Sequence, residues 1–342
     1  MSRIAVVLFN LGGPDGAKAV RPFLRNLFAD PAIITAPTPL RYGLAELISR
    51  TREKSAIANY AMMGGASPLN AGTEAQRVAL EAVLARALPG DDVSVFMAMR
   101  YWHPLTEQTA LDVAAFAPDE VVLLPLYPHF STTTTGSSLA AWKAHYRGPG
   151  RVHIVCCYFD ETALTDAHAA LIRATWEQAG APTKVRLLFS AHGLPERISA
   201  SGDPYRSQIE RTCAAVAAKL GSSWDWSVCY QSRVGPMKWI GPSTIEAIEQ
   251  AGRDGVGVIV DPIAFVSEHI ETLVELDHDY AKIAANAGVT PYLRVPALGV
   301  HPRFIEGLAE LTTRALSAPG LAPGASRCDA AQSRCPLRTQ AA

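Results

Sequence analysis

The sequence of 342 residues lacks several features that would each assign it to a class of protein. No apolar run approaches the roughly 20 residues that a membrane-spanning helix needs. The formal net charge is −1, which gives no support for nucleic-acid binding. Six cysteines are too few for a disulfide scaffold in a chain of this length. These absences, with a start that lacks the pattern of a signal peptide, predict a cytoplasmic protein.

Short apolar runs alternate with helical patterns along the chain. Hydrophobic residues make up 49% of the sequence, enough for a substantial core. Apolar runs of this length predict buried parallel strands, and the patterns between them predict covering helices. Two groups of four strands are predicted, at residues 4–8, 93–99, 121–125, 152–157, 185–190, 226–230, 256–261 and 292–295. The sequence therefore predicts an α/β fold with four-stranded parallel sheets flanked by helices.

The segment LLFSAHGLP is an apolar strand that ends at His192. Ligands of doubly wound sheets bind beyond the carboxyl ends of the strands. Imidazole titrates at about 6.5, so His192 could take a proton from a bound molecule near neutral pH. The alternative is a structural histidine with a satisfied hydrogen bond.

Three acids recur every four residues in FVSEHIETLVELDHDY, at Glu271, Glu275 and Asp279. In a helix this spacing places the carboxylates on one face. Such a stripe could deliver a divalent cation or carry protons away, and His269 adjoins it. The alternatives are a solvated helix face and, for His269, a hydrogen-bond partner of the stripe.

These segments belong to a longer set of motifs that resembles the ferrochelatases, class II chelatases that insert ferrous iron into porphyrin. The set runs from LFNLGGPD through GGASPLN, MRYWHPLTE, LLPLYPHFSTTTTGSS, FSAHGLPERI and CYQSRVGPMKWIGPST to the acidic segment. The resemblance implies two similar doubly wound domains with an active-site cleft between them. It places the first domain at 1–160 and 302–318, the second at 161–301, and a flexible cysteine-containing tail at 319–342.

The resemblance also implies an activity. Fe2+ enters protoporphyrin IX and two protons leave, which forms protohaem in the terminal step of haem biosynthesis. His192 and Glu271 are the implied catalytic and metal-binding residues, and Glu275, Asp279 and His269 are the implied relay for metal or protons. Which of His192 and Glu271 takes the proton stays open.

Alternative functions are a coproporphyrin ferrochelatase, another tetrapyrrole metal chelatase, and a non-catalytic carrier of haem or porphyrin. The form GPMKWIGPST resembles the branch of the family that uses protoporphyrin. A carrier needs an axial ligand but no line of carboxylates, so the acidic stripe argues against that alternative.

Substrate contacts are implied for seven further residues. An arginine fork can pair with a propionate, and aromatic rings can grip the macrocycle. The alternatives are a surface arginine and a core tryptophan. The implied contacts are Arg52, Tyr60, Ser67, Arg100, Tyr101, Tyr205 and Trp239.

The segment RPFLRNLFADPAIITAPTPLRYGLAEL mixes large apolar residues with arginines. In the family it forms the lip of the pocket, where contact with the inner face of a membrane could occur. The implied partners are porphyrin and ferrous iron, without nucleic acid. Handover of porphyrin from the preceding oxidase of the haem pathway is also compatible with this lip.

Some ferrochelatases carry a [2Fe–2S] cluster held by cysteines of the tail and one internal cysteine. Here the tail offers Cys328 and Cys335, where the family usually supplies three. Cys156 and Cys157 could complete the set, but adjacent strand residues point to opposite faces. The sequence leaves two alternatives, a cluster held by these cysteines and a disordered tail with two free thiols.

Overall fold

The computed structural model describes residues 1–233, 235, 237–318, 320–322 and 328–339. The chain divides into two compact units. Unit 1 comprises Met1–Cys156 and Leu308–Ala322, and unit 2 comprises Cys157–Gly307 and Pro323–Ala342. This division lies slightly before the predicted boundary at residue 160. The returning helix is shared between the units and does not belong wholly to the first.

Unit 1 contains a sheet of five parallel strands. They are β1 (Arg3–Asn10), β2 (Asp92–Met99), β3 (Glu120–Pro125), β4 (Arg151–Val155) and β9 (Gly320–Ala322). Their spatial order is β2-β1-β3-β4-β9. Seven of the eight residues of β1 are buried, as expected for a central strand that is covered on both faces.

The fifth strand corrects one prediction made for this part of the chain. The sheet was expected to have four strands, but Gly320–Ala322 pair in parallel with β4. Without β9, the outer edge of β4 would present unpaired backbone groups to solvent. A second correction concerns Cys156 and Cys157, which follow β4 and are therefore not neighbours within a strand.

Helices cover the sheet of unit 1. Phe9 of β1 packs edge-on against Trp142, with ring centroids 6.1 Å apart, and anchors the core on one face. Within the described residues, no helix of either unit is long and apolar enough to cross a membrane. The helices are α1 (Ala17–Ala29), α2 (Thr38–Ala61), α3 (Leu69–Ala87), α4 (Thr106–Phe116), α5 (Thr135–His145) and the shared α11 (Pro302–Ser317).

Unit 2 contains the predicted sheet of four parallel strands, in the order β6-β5-β7-β8. The strands are β5 (Val185–His192), β6 (Asp225–Gln231), β7 (Gly257–Asp261) and β8 (Tyr292–Arg294). Its helices are α6 (Thr162–Gln178), α7 (Glu196–Ala200), α8 (Tyr205–Leu220), α9 (Thr244–Arg253), a π-helix (Glu271–Tyr280), α10 (Ala281–Asn286) and α12 (Pro336–Thr339).

The two faces of β5 pack against different cores. Leu187 and Phe189 lie in one cluster, whereas Leu188 lies in another that contains Leu276 and Tyr280 of the π-helix. Because side chains alternate along a strand, His192 shares the face of Leu188. The strand therefore presents His192 on the side where the π-helix packs.

The predicted acidic helix forms, but as a π-helix over Glu271–Tyr280. The hydrogen bonds of a π-helix join residues five apart, and such segments are rare and frequently lie at functional sites. Leu276 and Tyr280 bury one side of it in the core. Residues four apart still lie close on the other side, so the acidic stripe keeps a common face.

Candidate active site

His192 and Glu271 form a direct pair at the end of β5. The imidazole Nδ1 of His192 lies 2.7 Å from Oε2 of Glu271. The His192 side chain is 42% exposed, whereas that of Glu271 is 19% exposed. Within the part of the chain that the structure describes, Nε2 of His192 has no protein partner. The ring is thus anchored through one nitrogen and offers the other to a ligand.

The two groups shift each other's pKa. Burial lowers the pKa of His192, but the adjacent Glu271 carboxylate outweighs burial and leaves this pKa above its ordinary value. Burial raises the pKa of Glu271, but the neighbouring His192 outweighs burial and brings it below its ordinary value. Both shifts stabilise an imidazolium beside a carboxylate relative to the two neutral groups. When the imidazole is protonated in this way, its proton must leave before His192 can accept one from a substrate.

Two residues that follow each other at the end of β6 connect Glu271 with Glu275. Ser232 Oγ lies 2.9 Å from Oε2 of Glu271 and 2.6 Å from Oε2 of Glu275. Gln231 Nε2 donates to the Glu271 carbonyl oxygen at 2.9 Å and to Glu275 Oε2 at 3.2 Å. Neither residue was predicted as part of the site, although both lie in the CYQSRVG motif where a strand ends in polar residues.

The three acids of the stripe differ in exposure along the π-helix. Glu271 and Glu275 are half-buried, whereas the side chain of Asp279 is 53% exposed. Burial and the charge of Glu271 raise the pKa of Glu275 to about 7. The line therefore leads from the His192 pair through an acid that titrates near neutrality to a carboxylate in water.

His269 lies beside this pair but is buried. Its ring centroid is 4.6 Å from that of Phe265, and the Phe265 centroid is 6.5 Å from that of His192. Burial lowers the pKa of His269 despite the nearby Glu271 and Glu268. Its Nδ1 has no partner among the described residues. This buried position favours a neutral imidazole. The His269 ring packs against Phe265, which in turn lies near His192.

Tyr205 and Trp239 support the end of β5. The Tyr205 hydroxyl donates to the His192 carbonyl oxygen at 3.0 Å, and the ring is buried. A Cβ atom at Gly193 would lie 3.1 Å from the Trp239 ring and 2.8 Å from the Gln231 carbonyl oxygen. Glycine is therefore required beside His192. Both aromatic residues hold the strand end, and half-buried Trp239 is the better placed to meet a ligand.

Arg100 and Tyr101 follow the end of β2 in unit 1 and bind a buried acid that the sequence analysis missed. Arg100 Nη2 lies 2.8 Å from Asp30 Oδ2, and the Tyr101 hydroxyl donates to the same oxygen at 2.8 Å. Ser137 also donates to Asp30 and accepts from Arg100 Nε at 2.7 Å. Tyr101 is 1% exposed, so this arrangement does not favour its predicted direct contact with substrate.

The other predicted substrate residues of unit 1 differ in exposure. Arg52 is exposed on α2, with its guanidinium carbon 5.9 Å from the Phe28 ring centroid. Tyr60 is buried near the end of α2. Ser67 donates its backbone N–H to Pro14 at 2.8 Å, and its hydroxyl accepts from the Leu69 N–H at 3.3 Å. Of the three, Arg52 is the side chain most accessible to a ligand.

Cys157, Cys328 and Cys335 of unit 2 lie close together, with Cys328 in contact with the other two. Hydrogen bonds from the Cys157 and Cys335 thiols lower the pKa of Cys328 to about 3, and Gln208 Nε2 donates to Cys328 Sγ at 3.1 Å. All three thiols are buried. Cys156 is also buried and belongs to unit 1. Within the described part of the tail, Cys328 and Cys335 are therefore buried side chains with sulfur neighbours.

The cysteine group is not a ready-made site for one ion. Within the described ranges, no group of three or more His, Cys, Asp or Glu side chains is arranged to hold a single metal ion. The Cys157 and Cys335 thiols each hydrogen-bond the Cys328 sulfur. Thiolates are, however, the donors that iron–sulfur clusters use, and such a cluster spreads its ligands over two irons.

Comparisons with known proteins give the family of the chain. A family model described as ferrochelatase matches residues 3–316. The chain is 63% identical to the ferrochelatase of Caulobacter vibrioides over 339 residues and 60% identical to that of Phenylobacterium zucineum over 337 residues. Both alignments cover 98% of each chain.

A solved structure supports the fold alone. It is a multi-domain protein of Deinococcus radiodurans described as structurally similar to chelatases, with a TM-score of 0.55 and 16% identity. The match covers 91% of this chain and 55% of that one. The family model and the full-length relatives decide the classification: the chain belongs to the ferrochelatase family.

Proposed function

We propose that this protein inserts Fe2+ into protoporphyrin IX and releases two protons, which forms protohaem. The observation that carries the proposal is the exposed His192 imidazole, paired at 2.7 Å with Glu271 and followed outward by Glu275 and Asp279. Insertion needs a group that takes protons from the ring nitrogens and a route by which they leave. The membership in the ferrochelatase family supports the same reaction.

Each residue of the site has a proposed role that follows from its position. We propose that Nε2 of His192 meets the porphyrin, while Nδ1 stays hydrogen-bonded to Glu271. Glu271 compensates positive charge as the imidazole takes a proton, and its carboxylate can also guide an incoming ferrous ion. Glu275 and Asp279 then carry protons outward or cations inward. Carboxylate and imidazole donors bind ferrous iron less tenaciously than later transition metals, which favours transfer over storage.

Substrate binding is proposed for Arg52, Trp239 and the residues around them. Arg52 is exposed on α2 and can present two parallel N–H groups to a propionate. Trp239 packs beside Gly193, next to the reacting imidazole. Tyr205 and Tyr101 are buried and act as supports for His192 and Arg100.

The test is an anaerobic metalation assay with purified protein, ferrous iron and protoporphyrin IX, with coproporphyrin III in a parallel reaction. Loss of porphyrin fluorescence together with appearance of the haem absorbance is expected for protoporphyrin. Faster turnover of coproporphyrin would favour the alternative ferrochelatase. Stoichiometric binding of porphyrin without product would favour a carrier, and insertion of cobalt but not iron would favour another chelatase.

We also propose a [2Fe–2S] cluster with Cys157, Cys328 and Cys335 of unit 2 among its ligands. The buried thiolate of Cys328 and its two thiol neighbours support this set. When bound, the cluster would supply iron–thiolate bonds that cross-link Cys328 and Cys335 of the tail to Cys157. Gln208 donates to Cys328 Sγ and would lower the negative charge on that sulfur.

Contact with a membrane surface is proposed for α2, the helix of the predicted lip. Leu40, Tyr42 and Leu47 are 57%, 49% and 58% exposed on this helix, and Arg41 lies among them. Apolar residues flanked by arginine suit an interface with anionic lipid. Co-sedimentation with vesicles of anionic phospholipid should fall in Leu40→Ser/Leu47→Ser, and unchanged sedimentation would contradict the proposal. Handover of porphyrin from the preceding oxidase of the haem pathway stays a prediction.

A further inference from the structure

Strand β8 holds the π-helix through two side chains on one face of the strand. Tyr292 and Arg294 lie on either side of Leu293, so they point to the same face. Tyr292 packs against the core that contains Leu276 of the π-helix, whereas Leu293 packs against the other core of unit 2. The Tyr292 hydroxyl donates to the Leu276 carbonyl oxygen at 2.8 Å. Because β8 pairs with β7, this contact joins the π-helix to the sheet.

Arg294 binds two acids that flank Glu271 in the chain. Its Nε and Nη2 lie 2.6 Å and 2.9 Å from the two carboxylate oxygens of Asp277, as a parallel fork. Its Nη1 lies 2.6 Å from Oε1 of Glu268, and the same oxygen accepts the Ala297 N–H at 2.9 Å. One arginine therefore holds a residue that precedes the π-helix and a residue within it.

The Tyr292 contact lies where the π-helix ends. In a continuing π-helix the Leu276 carbonyl oxygen would accept the N–H of Ala281, five residues further on. Here the Ala281 N–H donates to the His278 carbonyl oxygen, and α10 begins at Ala281. The Tyr292 hydroxyl thus supplies a donor to the carbonyl oxygen at which the π-type hydrogen bonds stop. It therefore favours this residue as the end of the π-helix.

The register of the π-helix determines where the Glu271 carboxylate points. An α-helix turns by about 100° per residue, and a π-helix turns by less because its turns are wider. While Arg294 holds Asp277, a change from π to α turns would rotate Glu271 about the helix axis. Its contact with His192, which is 2.7 Å long in the π form, would then be lost. Since π-helices are rare, contacts from outside the helix are needed to select this register.

We propose that Tyr292 and Arg294 are positioning residues that select the π register and thereby hold Glu271 against His192. Both act through the helix, from a strand of the same unit. The proposal rests on the proposed function, because it concerns the geometry of the pair that takes part in that reaction. Removal of either contact should loosen the register while His192 and Glu271 themselves are unchanged.

Tyr292→Phe tests one contact, because it keeps the ring in the core and removes the hydroxyl. We expect kcat for metalation to fall about tenfold with KM for porphyrin unchanged within about twofold, since the reacting pair is displaced and the substrate contacts are not. The amide hydrogens of residues 271–280 should exchange about tenfold faster with solvent. Arg294→Lys should have the same effects, because an ammonium lacks the fork that reaches both acids.

Arg186→Lys is the matched control. Arg186 lies on β5 of the same sheet, and its side chain is 20% exposed, against 15% for Arg294. It also binds two acids, Asp225 and Asp254, at 2.8 Å each, and neither belongs to the π-helix. This variant should lose as much stability in urea as Arg294→Lys. It should keep the kcat of the wild type and the exchange rates of residues 271–280.

Three results would overturn the positioning role of β8. The first is wild-type kcat and wild-type exchange in both Tyr292→Phe and Arg294→Lys. The second is a fall in kcat with unchanged exchange of residues 271–280, since the register would then be intact. The third is an equal loss of kcat in Arg186→Lys, which would reduce the effect to general stability. Absence of haem formation by the wild type would instead reject the proposed function, and hydrogen exchange would still test the register.

Discussion

His192 Nδ1 and Glu271 Oε2 lie 2.7 Å apart, although the two residues come from a strand end and a π-helix that are widely separated in sequence. The contact fixes the imidazole through Nδ1, and the His192 side chain remains 42% exposed. It also raises the pKa of His192 and lowers that of Glu271, after burial has opposed both shifts. We therefore expect His192 to accept a proton from a ligand through Nε2, once the pair has given up its own proton.

His192→Ala should reduce metalation by at least about 100-fold, since it removes the group that meets the ring nitrogens. Porphyrin binding should persist, because the side chain is 42% exposed and little packing is lost. Fluorescence titration with porphyrin and thermal unfolding serve as controls for binding and fold. Turnover within about threefold of the wild type would remove His192 from the reaction.

Glu271→Gln should be far more damaging than Asp279→Asn. Glu271 contacts His192 directly, whereas the side chain of Asp279 is 53% exposed and water can replace it. We expect a loss of at least about 100-fold in kcat for the first and less than about threefold for the second. Anaerobic assays at saturating iron measure both. Equal, mild effects would mean that the acidic stripe is only a solvated face.

The alternation of β5 shows how much of this site could be predicted. The run LLFSAH places Leu188 and His192 on one face by its period of two, and the structure confirms a buried strand that ends at His192. The strand–helix order likewise predicted the sheet of unit 2. These features depend on apolar periodicity, which the sequence displays directly.

Other features depend on contacts that no local pattern records. Gly320–Ala322 form a strand because the edge of β4 offers unpaired backbone N–H and C=O groups, not because the sequence Gly-Leu-Ala favours extended structure. Residues four apart lie on one side of both α- and π-helices, so the acidic spacing could not distinguish them. Ser232 lies in a motif that was recognised, but its left-handed backbone and its two carboxylate partners appear only in the folded chain.

Glu275 should make the protein less stable as pH rises. Its pKa is about 7 because of burial and the Glu271 charge, against an ordinary value of 4.5, with His192 and Tyr280 as the other titratable groups nearby. Between these values the folded state keeps a proton that the unfolded state has lost. Stability therefore falls from pH 4.5 to about 7 and then levels off.

Glu275→Gln removes this effect because the amide does not titrate. Relative to the wild type, the variant should gain stability across the same window, by up to about 3 kcal/mol at pH 8. Urea unfolding at pH 5 and pH 8 measures the difference. Parallel stability curves for the two proteins would show that Glu275 titrates alike in both states.

Arg52→Ala should raise KM for porphyrin by about tenfold and leave kcat nearly unchanged, because a propionate contact is present in ground and transition states alike. Arg50→Ala is the matched control on α2, since Arg50 Nε lies 2.8 Å from Glu46 and is already paired. Steady-state kinetics with varied porphyrin separates the two constants. A fall in kcat alone would show that Arg52 is not a simple substrate anchor.

The last prediction concerns the group of Cys157, Cys328 and Cys335. Protein purified without oxygen should be coloured and contain iron with an equal amount of acid-labile sulfide. Cys328→Ser and Cys335→Ser should each lose the sulfide and unfold at lower temperature, because one missing ligand opens the site and removes its share of folding energy. Cys328 should be the more sensitive position, since it contacts Cys157, Cys335 and Gln208.

Cys229→Ser is the control, because Cys229 is buried in the core of unit 2 and its thiol donates to the Phe189 carbonyl oxygen. This variant keeps a donor at that position and should retain full iron and sulfide whatever its stability. Wild-type protein without acid-labile sulfide would reject the cluster. In that case Cys335→Ser should leave the visible spectrum unchanged, and the lowered pKa of Cys328 would instead mark a thiolate stabilised by its neighbours alone.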